Sequence, residues 1–103
     1  MQENDFRIVI TQQAALEVLK ISEWYEEKSR LLGNYFLDEF NSGLSKIASN
    51  PTAFARYKRT KIRRYILPDF PYKVYYITEE NEIRIIDVIH NSRSKNYIRK
   101  RLE

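Results

Sequence analysis

The sequence predicts an α+β fold in the order β-α-α-β-β-β, with a helical hairpin packed on a mainly antiparallel curved sheet. In the first half of the chain, apolar residues recur at helical spacing over 12–28 and 29–50. The second half contains three short alternating segments joined by brief connections, which is typical of antiparallel strands. We expect one domain over residues 1–103, because this length supplies a single modest core.

The segment 6–28 predicts a strand followed by a helix. Phe6–Ile10 is alternating and rich in β-branched residues, and the Thr11 hydroxyl can cap the helix that follows. Leu16 and Trp24 lie off the apolar stripe of this helix, where they pack on a neighbouring element or form a patch for a partner. The predicted inward stripe is Ala14, Ala15, Val18, Leu19, Ile21, Ser22 and Tyr25. The predicted solvent side is Glu17, Lys20, Glu23 and Glu27.

A second amphipathic helix is predicted to begin at a Ser29 cap and to end near Asn50, because Pro51 disfavours a helical residue before it. Gly33 and Gly43 are expected to allow close approach to the first helix. The apolar stripe of the second helix is Leu32, Phe36, Phe40, Gly43, Leu44 and Ile47.

Three strands are predicted at 62–67, 72–77 and 83–90, with connections at 68–71 and 78–81. Regular alternation would place four residues of the last strand on one face, namely Arg84, Ile86, Val88 and His90. The basic segment after His90 forms either a short helix or a tail that becomes ordered on binding.

The charge of the chain is concentrated in its second half. The formal net charge is +4, but residues 1–55 carry five basic against eight acidic side chains, and residues 56–103 carry thirteen against six. Such an excess attracts a polyanion or an acidic protein segment, or forms a solvated surface without a dedicated partner. One basic cluster is Arg56, Lys58, Arg59, Lys61, Arg63 and Arg64, and the other is Arg93, Lys95, Arg99, Lys100 and Arg101.

Composition excludes several classes of site. The chain has no Cys and one His, which excludes disulfides and thiolate zinc sites and argues against a histidine-built metal site, so we expect neither metal nor cofactor. No apolar run approaches the roughly 20 residues of a membrane span. The residues 1–5 are polar and acidic, unlike a secretory signal, and we expect a cytoplasmic protein.

Three motifs in this order resemble the RelE/ParE toxins of bacterial type II toxin–antitoxin modules. The first is the aromatic-Leu-acid-acid run Phe36–Phe40, followed by the helix stop at Asn50-Pro51. The second is Arg63-Arg64-Tyr65 followed by 70–76, and the third is 87–93, which is similar to a Val-x-His-x-x-Arg ending. The His-x-x-Arg ending is usual on the ParE side of the family.

The resemblance implies a toxin that a cognate antitoxin neutralises. RelE-like members enter the ribosomal A site and cleave mRNA, whereas ParE-like members block DNA gyrase and are not known as nucleases. The ParE-like ending favours gyrase inhibition through protein–protein contact. The alternatives are a ribosome-dependent mRNA endoribonuclease and a non-toxic relative that only binds a partner protein.

If the chain is a nuclease, we expect His90 to act as acid or base, with cations around the phosphate and Tyr97 nearby. The candidate cations are Arg93, Lys73, Arg63 and Arg64. Lys73 stands where RelE-like nucleases typically present Arg, and their C-terminal His-Tyr or Tyr ending has no clean counterpart here; both departures favour the branch without nuclease activity. His90 is otherwise a hydrogen-bonded structural residue, and Arg93 caps a turn, pairs with Asp87 or is solvated.

In this family the flexible C-terminal segment of the antitoxin wraps the toxin. Leu16 and Trp24 are candidate apolar anchors for it, and basic side chains are candidate contacts for an acidic antitoxin segment or for the target. Those basic candidates are Arg56, Lys58, Arg59, Lys61, Arg99, Lys100 and Arg101.

Overall fold

The computed structural model describes residues 6–103, which form three helices and a four-stranded mixed sheet. The elements in chain order are β1 (Arg7–Ile10), α1 (Gln12–Lys28), α2 (Arg30–Ser49), β2 (Arg63–Ile66), β3 (Tyr72–Glu79), β4 (Glu82–His90) and α3 (Lys95–Leu102). The predicted α+β class and the order of the first six elements are confirmed. The basic segment after His90 is the helix α3.

The sheet has the strand order β1-β4-β3-β2, in which β1 pairs parallel to β4 and the other pairs are antiparallel. Parallel strands cannot be joined by a tight turn. The two helices between β1 and β2 supply the long connection that lets β1 pair in parallel with β4. Glu80 and Asn81 alone connect β3 and β4, and Glu80 has a φ of 53°. The connection is therefore shorter than the predicted 78–81, because β3 extends to Glu79 and β4 begins at Glu82.

A bulge in β4 changes which residues face the helices. Tyr75 pairs with Asp87, but Tyr76 pairs with Ile85, so Ile86 has no partner on β3. Ile85 and Val88 both belong to the core beneath the helices, although regular alternation would separate them. The prediction that Arg84, Ile86, Val88 and His90 share a face is therefore wrong, since Ile86 packs on the opposite side.

The inward face of α1 is narrower than predicted. Thr11 caps the helix by accepting a hydrogen bond from the Ala14 N–H, as expected. Leu19, however, is 52% exposed, and Ala15 is also exposed, so neither belongs to the core stripe. Glu17 lies on a half-buried side, where it forms an ion pair with Arg101 at 3.4 Å.

The start of α2 and its two glycines differ in detail from the prediction. Ser29 precedes α2, but its side chain makes no capping hydrogen bond. At Gly33 a Cβ would lie 3.0 Å from the Cβ of Glu26, so this glycine does permit close approach to α1. At Gly43 a Cβ would lie 2.8 Å from the Tyr65 ring, so that glycine accommodates β2 rather than α1.

Two apolar clusters lie on opposite faces of the sheet. The larger cluster fills the space between the helical hairpin and the sheet and includes Phe36, Val74 and Tyr76. The smaller cluster lies on the other face and contains Tyr57, Tyr75, Ile89 and Leu102. The sheet therefore presents two different surroundings to the side chains of β2, β3 and β4.

Candidate functional site

A groove lies between α1 and the corner where β4 turns into α3; we call it the α1 groove. Its first section has a volume of about 510 Å³. Its walls are contributed by α1, β3, the end of β4 and the start of α3, and they include Glu17, Ile21, Tyr72, His90, Arg93 and Tyr97. Three of the residues singled out from the sequence therefore lie together here: His90, Arg93 and Tyr97.

The α1 groove continues towards the C-terminal end of α1. This second section is lined by Trp24, Lys28 and Pro71, and it shares Ile21, Tyr72 and His90 with the first section. The Trp24 side chain is 52% exposed, and the Lys28 ammonium lies 4.1 Å from the centre of its ring. Apolar ring surface bordered by cations suits an apolar side chain with a neighbouring carboxylate.

Leu16 lies further towards the N-terminal end of the same helix and is 51% exposed. It borders a third depression with Gln13 and Arg101, which adjoins the α1 groove through Glu17 and Lys20. The two predicted anchors, Leu16 and Trp24, thus lie eight residues apart on one exposed side of α1.

His90 uses one ring nitrogen inside the protein. Its Nδ1 accepts a hydrogen bond of 3.0 Å from the Ser92 N–H, and its ring meets the Tyr72 ring edge to face at 5.0 Å. In the neutral imidazole, an Nδ1 that accepts leaves the proton on Nε2. In this arrangement Nε2 is a hydrogen-bond donor, which favours a structural or donating role for His90 over that of a general base.

Tyr72 forms the floor of the groove between α1 and His90. Burial raises the pKa of Tyr72 to about 12, and the neighbouring Tyr25 adds to this effect, while Arg93 opposes it. The phenol therefore keeps its proton near neutral pH. It contributes ring surface and a hydrogen-bond donor to the groove, and no basic group.

Arg93 neither pairs with Asp87 nor caps a turn with its side chain. Its guanidinium lies 4.2 Å above the Tyr97 ring, and its backbone N–H donates to the His90 carbonyl. Ser94 caps α3 by accepting from the Tyr97 N–H at 3.1 Å, which fixes where the helix that carries Tyr97 begins. Arg93 thus presents an exposed cation at the edge of the groove.

The partner of Asp87 is Arg101 at the end of α3. Asp87 is fully buried, and Arg101 donates to it from Nε at 2.7 Å and from Nη2 at 3.1 Å. The hydrogen bond to Asp87 raises the pKa of Arg101 above its ordinary value. Sequence reasoning missed this pair, although one carboxylate within the apolar run of β4 was a signal that a buried cation must lie nearby.

The six residues of the nuclease hypothesis do not form one cluster. Tyr65 and Val74 face the helices, so Arg64 and Lys73, their neighbours in the strands, face the other way. His90 faces α1, and Arg63 donates from Nη1 to the Phe54 carbonyl at 2.7 Å. His90 therefore faces the opposite side of the sheet from Arg64 and Lys73, and Lys73 donates instead to Asn91 at 3.0 Å.

The two basic clusters predicted from the sequence differ in how far their side chains are exposed. Four residues of the first cluster lie exposed on the loop that precedes β2: Arg56, Lys58, Arg59 and Lys61. On α3, Arg99 and Lys100 are exposed, with Arg99 facing Glu103 at 3.9 Å, whereas Arg101 points inward to Asp87. Arg101 thus holds α3 against the sheet, a role the sequence did not indicate.

No three His, Asp or Glu side chains between residues 6 and 103 converge in a way that would hold a metal ion. Among the same residues, none of the helices combines the length and the apolar character that crossing a bilayer requires.

Comparison with known proteins decides the family. A family model described as the ParE toxin of the type II toxin–antitoxin system, parDE, matches residues 8–95. This chain belongs to the ParE toxin family. No curated protein matches it.

The fold of this ParE-family chain is similar to that of a solved structure. That structure is titled "Chromosomal ParDE TA system from P. aeruginosa" and superposes with a TM-score of 0.66 at 17% sequence identity. The match covers 85% of this chain and 98% of the other. The resemblance to RelE/ParE toxins and its ParE side are thus confirmed, and the residues that line the α1 groove, apart from Tyr97, lie within the matched range 8–95.

Proposed function

We propose that this ParE-family chain inhibits DNA gyrase through protein–protein contact and that a cognate antitoxin neutralises it. The observation that carries the proposal is the separation of the nuclease candidates. Metal-free RNA cleavage needs a proton acceptor and cations around one phosphate. His90 and the pair Arg64 and Lys73 lie on opposite faces of the sheet, which favours inhibition by binding over cleavage.

The functional assay compares two targets with the same purified chain. We expect inhibition of gyrase supercoiling and intact mRNA on programmed ribosomes. Cut mRNA with normal supercoiling would contradict the proposal and favour the endoribonuclease. Activity in neither assay, together with normal growth on expression, would favour the non-toxic relative.

We propose the α1 groove and the exposed side of α1 as the surface that receives the antitoxin. Apolar anchors dominate binding energy when a partner covers them, and Leu16 and Trp24 are both about half exposed. Lys20, Lys28 and Arg93 surround this surface, so an antitoxin segment with apolar side chains between carboxylates would fit it.

Truncation of one anchor tests this placement. Leu16→Ala is expected to weaken the antitoxin complex about 10-fold, because an anchor contributes on the order of 1–2 kcal/mol. The matched control is Leu31→Ala on α2, since Leu31 is 78% exposed and lies outside the groove. The measurement is the Kd of both variants by titration calorimetry; equal losses, or no loss for Leu16→Ala, would place the antitoxin elsewhere.

A further inference from the structure

Three cations gather on the sheet face opposite α1 and α2; we call Lys58, Arg64 and Lys73 the cationic band. Arg64 and Lys73 project from β2 and β3 on the face where Tyr75 packs. The Lys58 ammonium lies 5.4 Å from the centre of the Tyr57 ring, which meets Tyr75 edge to face. Side chains from a loop and two strands therefore bring their charges to one surface.

None of the carboxylates in residues 56–103 forms an ion pair with this band. Lys73 donates only to the neutral amide oxygen of Asn91, at 3.0 Å. The carboxylates that have partners bind elsewhere: Asp69 to Tyr35, Glu79 and Glu82 to Arg84, Asp87 to Arg101, and Glu103 to Arg99. The positive charge of the band is therefore uncompensated among the described residues, which attracts a polyanion.

The edge of the sheet beside the band is already occupied by the chain itself. The Arg64 N–H donates to the Ala55 carbonyl at 3.0 Å, and Arg56 bridges to Arg63. A peptide cannot add as a further strand where these groups are taken, which disfavours an acidic polypeptide held by main-chain pairing. Tyr57 and Tyr75 are both buried, so their faces cannot stack on unpaired bases either.

We propose that the cationic band contacts the phosphate backbone of double-stranded DNA without reading its sequence. Phosphate contacts need cationic side chains that reach solvent and no pairing with base edges; Lys58 is exposed, and Arg64 and Lys73 are partly exposed. The inference does not rest on the gyrase proposal, because it concerns binding to DNA by this chain alone.

Salt dependence of DNA binding is the test. The full chain is titrated into a fluorescent 24-base-pair duplex, and Kd is measured by anisotropy between roughly 50 and 200 mM KCl. Three phosphate contacts give a slope of log K against log salt of about −2.7, which is about a 40-fold loss over that range. In the double variant Arg64→Gln/Lys73→Gln, one contact remains, and we expect a slope of about −0.9 and about a 4-fold loss.

The matched control is Arg30→Gln/Lys46→Gln, which removes the same charge from exposed positions of α2. It should keep the wild-type slope, and thermal unfolding checks that both variants fold. Equal losses in both double variants would show an effect of net charge and overturn the proposal. So would a wild-type slope shallower than about −1, or displacement of DNA by polyglutamate of equal charge at equal concentration.

Discussion

Asp87 and Tyr76 show how single buried polar groups hold distant segments in place. The Asp87 carboxylate receives hydrogen bonds from Arg101 of α3, from Gln13 of α1 at 2.9 Å and from the Val88 N–H. The Tyr76 hydroxyl crosses to the end of α2 and donates to the Pro51 carbonyl at 2.6 Å. Each group satisfies its hydrogen bonds inside the protein, where loss of a partner costs most.

Removal of Arg101 is expected to destabilise the protein strongly. In Arg101→Ala the buried carboxylate of Asp87 loses its cation, and we expect a loss of about 3 kcal/mol in the free energy of unfolding. Arg99→Ala on the same helix is the control; its exposed pair with Glu103 contributes at most about 0.5 kcal/mol. Urea denaturation of the two variants measures the difference, and similar losses would contradict the role given to Asp87.

Alkaline stability is expected to depend on Tyr76. Burial raises the pKa of Tyr76 to about 12, from 10.0 in the unfolded chain. The folded state therefore holds the Tyr76 proton more tightly than the unfolded chain does. The contribution of the protonated Tyr76 to the free energy of unfolding is complete below pH 10 and is lost as the pH rises from about 10 to about 12. Urea denaturation across this range should show a smaller alkaline loss in Tyr76→Phe than in the wild type. An identical loss in the two proteins would contradict this assignment.

At the scale of elements, the helices and strands lie where the sequence predicts them, and the predictions that are wrong concern which side chains face the core. The segment 12–28 is helical throughout, yet Leu19 is exposed, because the sheet contacts only a narrow side of α1. β4 begins one residue earlier than predicted and ends at His90 as expected, but its bulge at Ile86 exchanges the two faces partway along. Local periodicity predicts the element, whereas the packed neighbour decides how much of it is buried.

Gly43 sets the distance between α2 and β2. A Cβ at this position would lie 2.8 Å from the buried Tyr65 ring, which also meets the Phe54 ring edge to face at 5.1 Å. We expect Gly43→Ala to lower the free energy of unfolding by about 1 kcal/mol, because overpacking of about 2 kcal/mol exceeds the gain in helix propensity. Ser45→Ala, at an exposed position of α2, should not destabilise.

A double-mutant cycle identifies the cause. In the background of Tyr65→Leu the ring atoms are absent, and the cost of Gly43→Ala should fall or reverse. The free energy of unfolding of the four proteins gives the coupling. An additive cycle would show that the Tyr65 ring is not what the added methyl group meets.

Across the whole molecule, the sheet separates a large core from a small one. The large core joins α1 and α2 to all four strands, whereas the small core joins α3 and the loop at Tyr57 to β3 and β4. The α1 groove opens beside the first core, and the cationic band lies beside the second. The two proposed binding surfaces therefore depend on different parts of the interior.

Substitutions in the two cores are expected to differ in the size of the stability loss and in how much of the molecule shows faster hydrogen exchange. Phe36→Ala should cost about 4 kcal/mol and raise amide hydrogen exchange throughout the sheet, because Phe36 is fully buried between α1 and β3. Leu102→Ala should cost about 2 kcal/mol and raise exchange mainly in α3 and the loop 56–62. If Leu102→Ala raised exchange equally in α1 and α2, the two cores would not open separately.

The amino-acid sequence by itself determined the elements, their order, the ParE-like motifs and the basic second half, because these depend on local periodicity and on residue type. Only the tertiary structure decided that Arg101 turns inward to Asp87 and that His90 and Lys73 face opposite sides of the sheet. Those facts depend on a bulge and on pairings between residues far apart in the chain. A pattern read along the chain does not encode which face a bulged strand presents, and the bulge at Ile86 decides that for this protein.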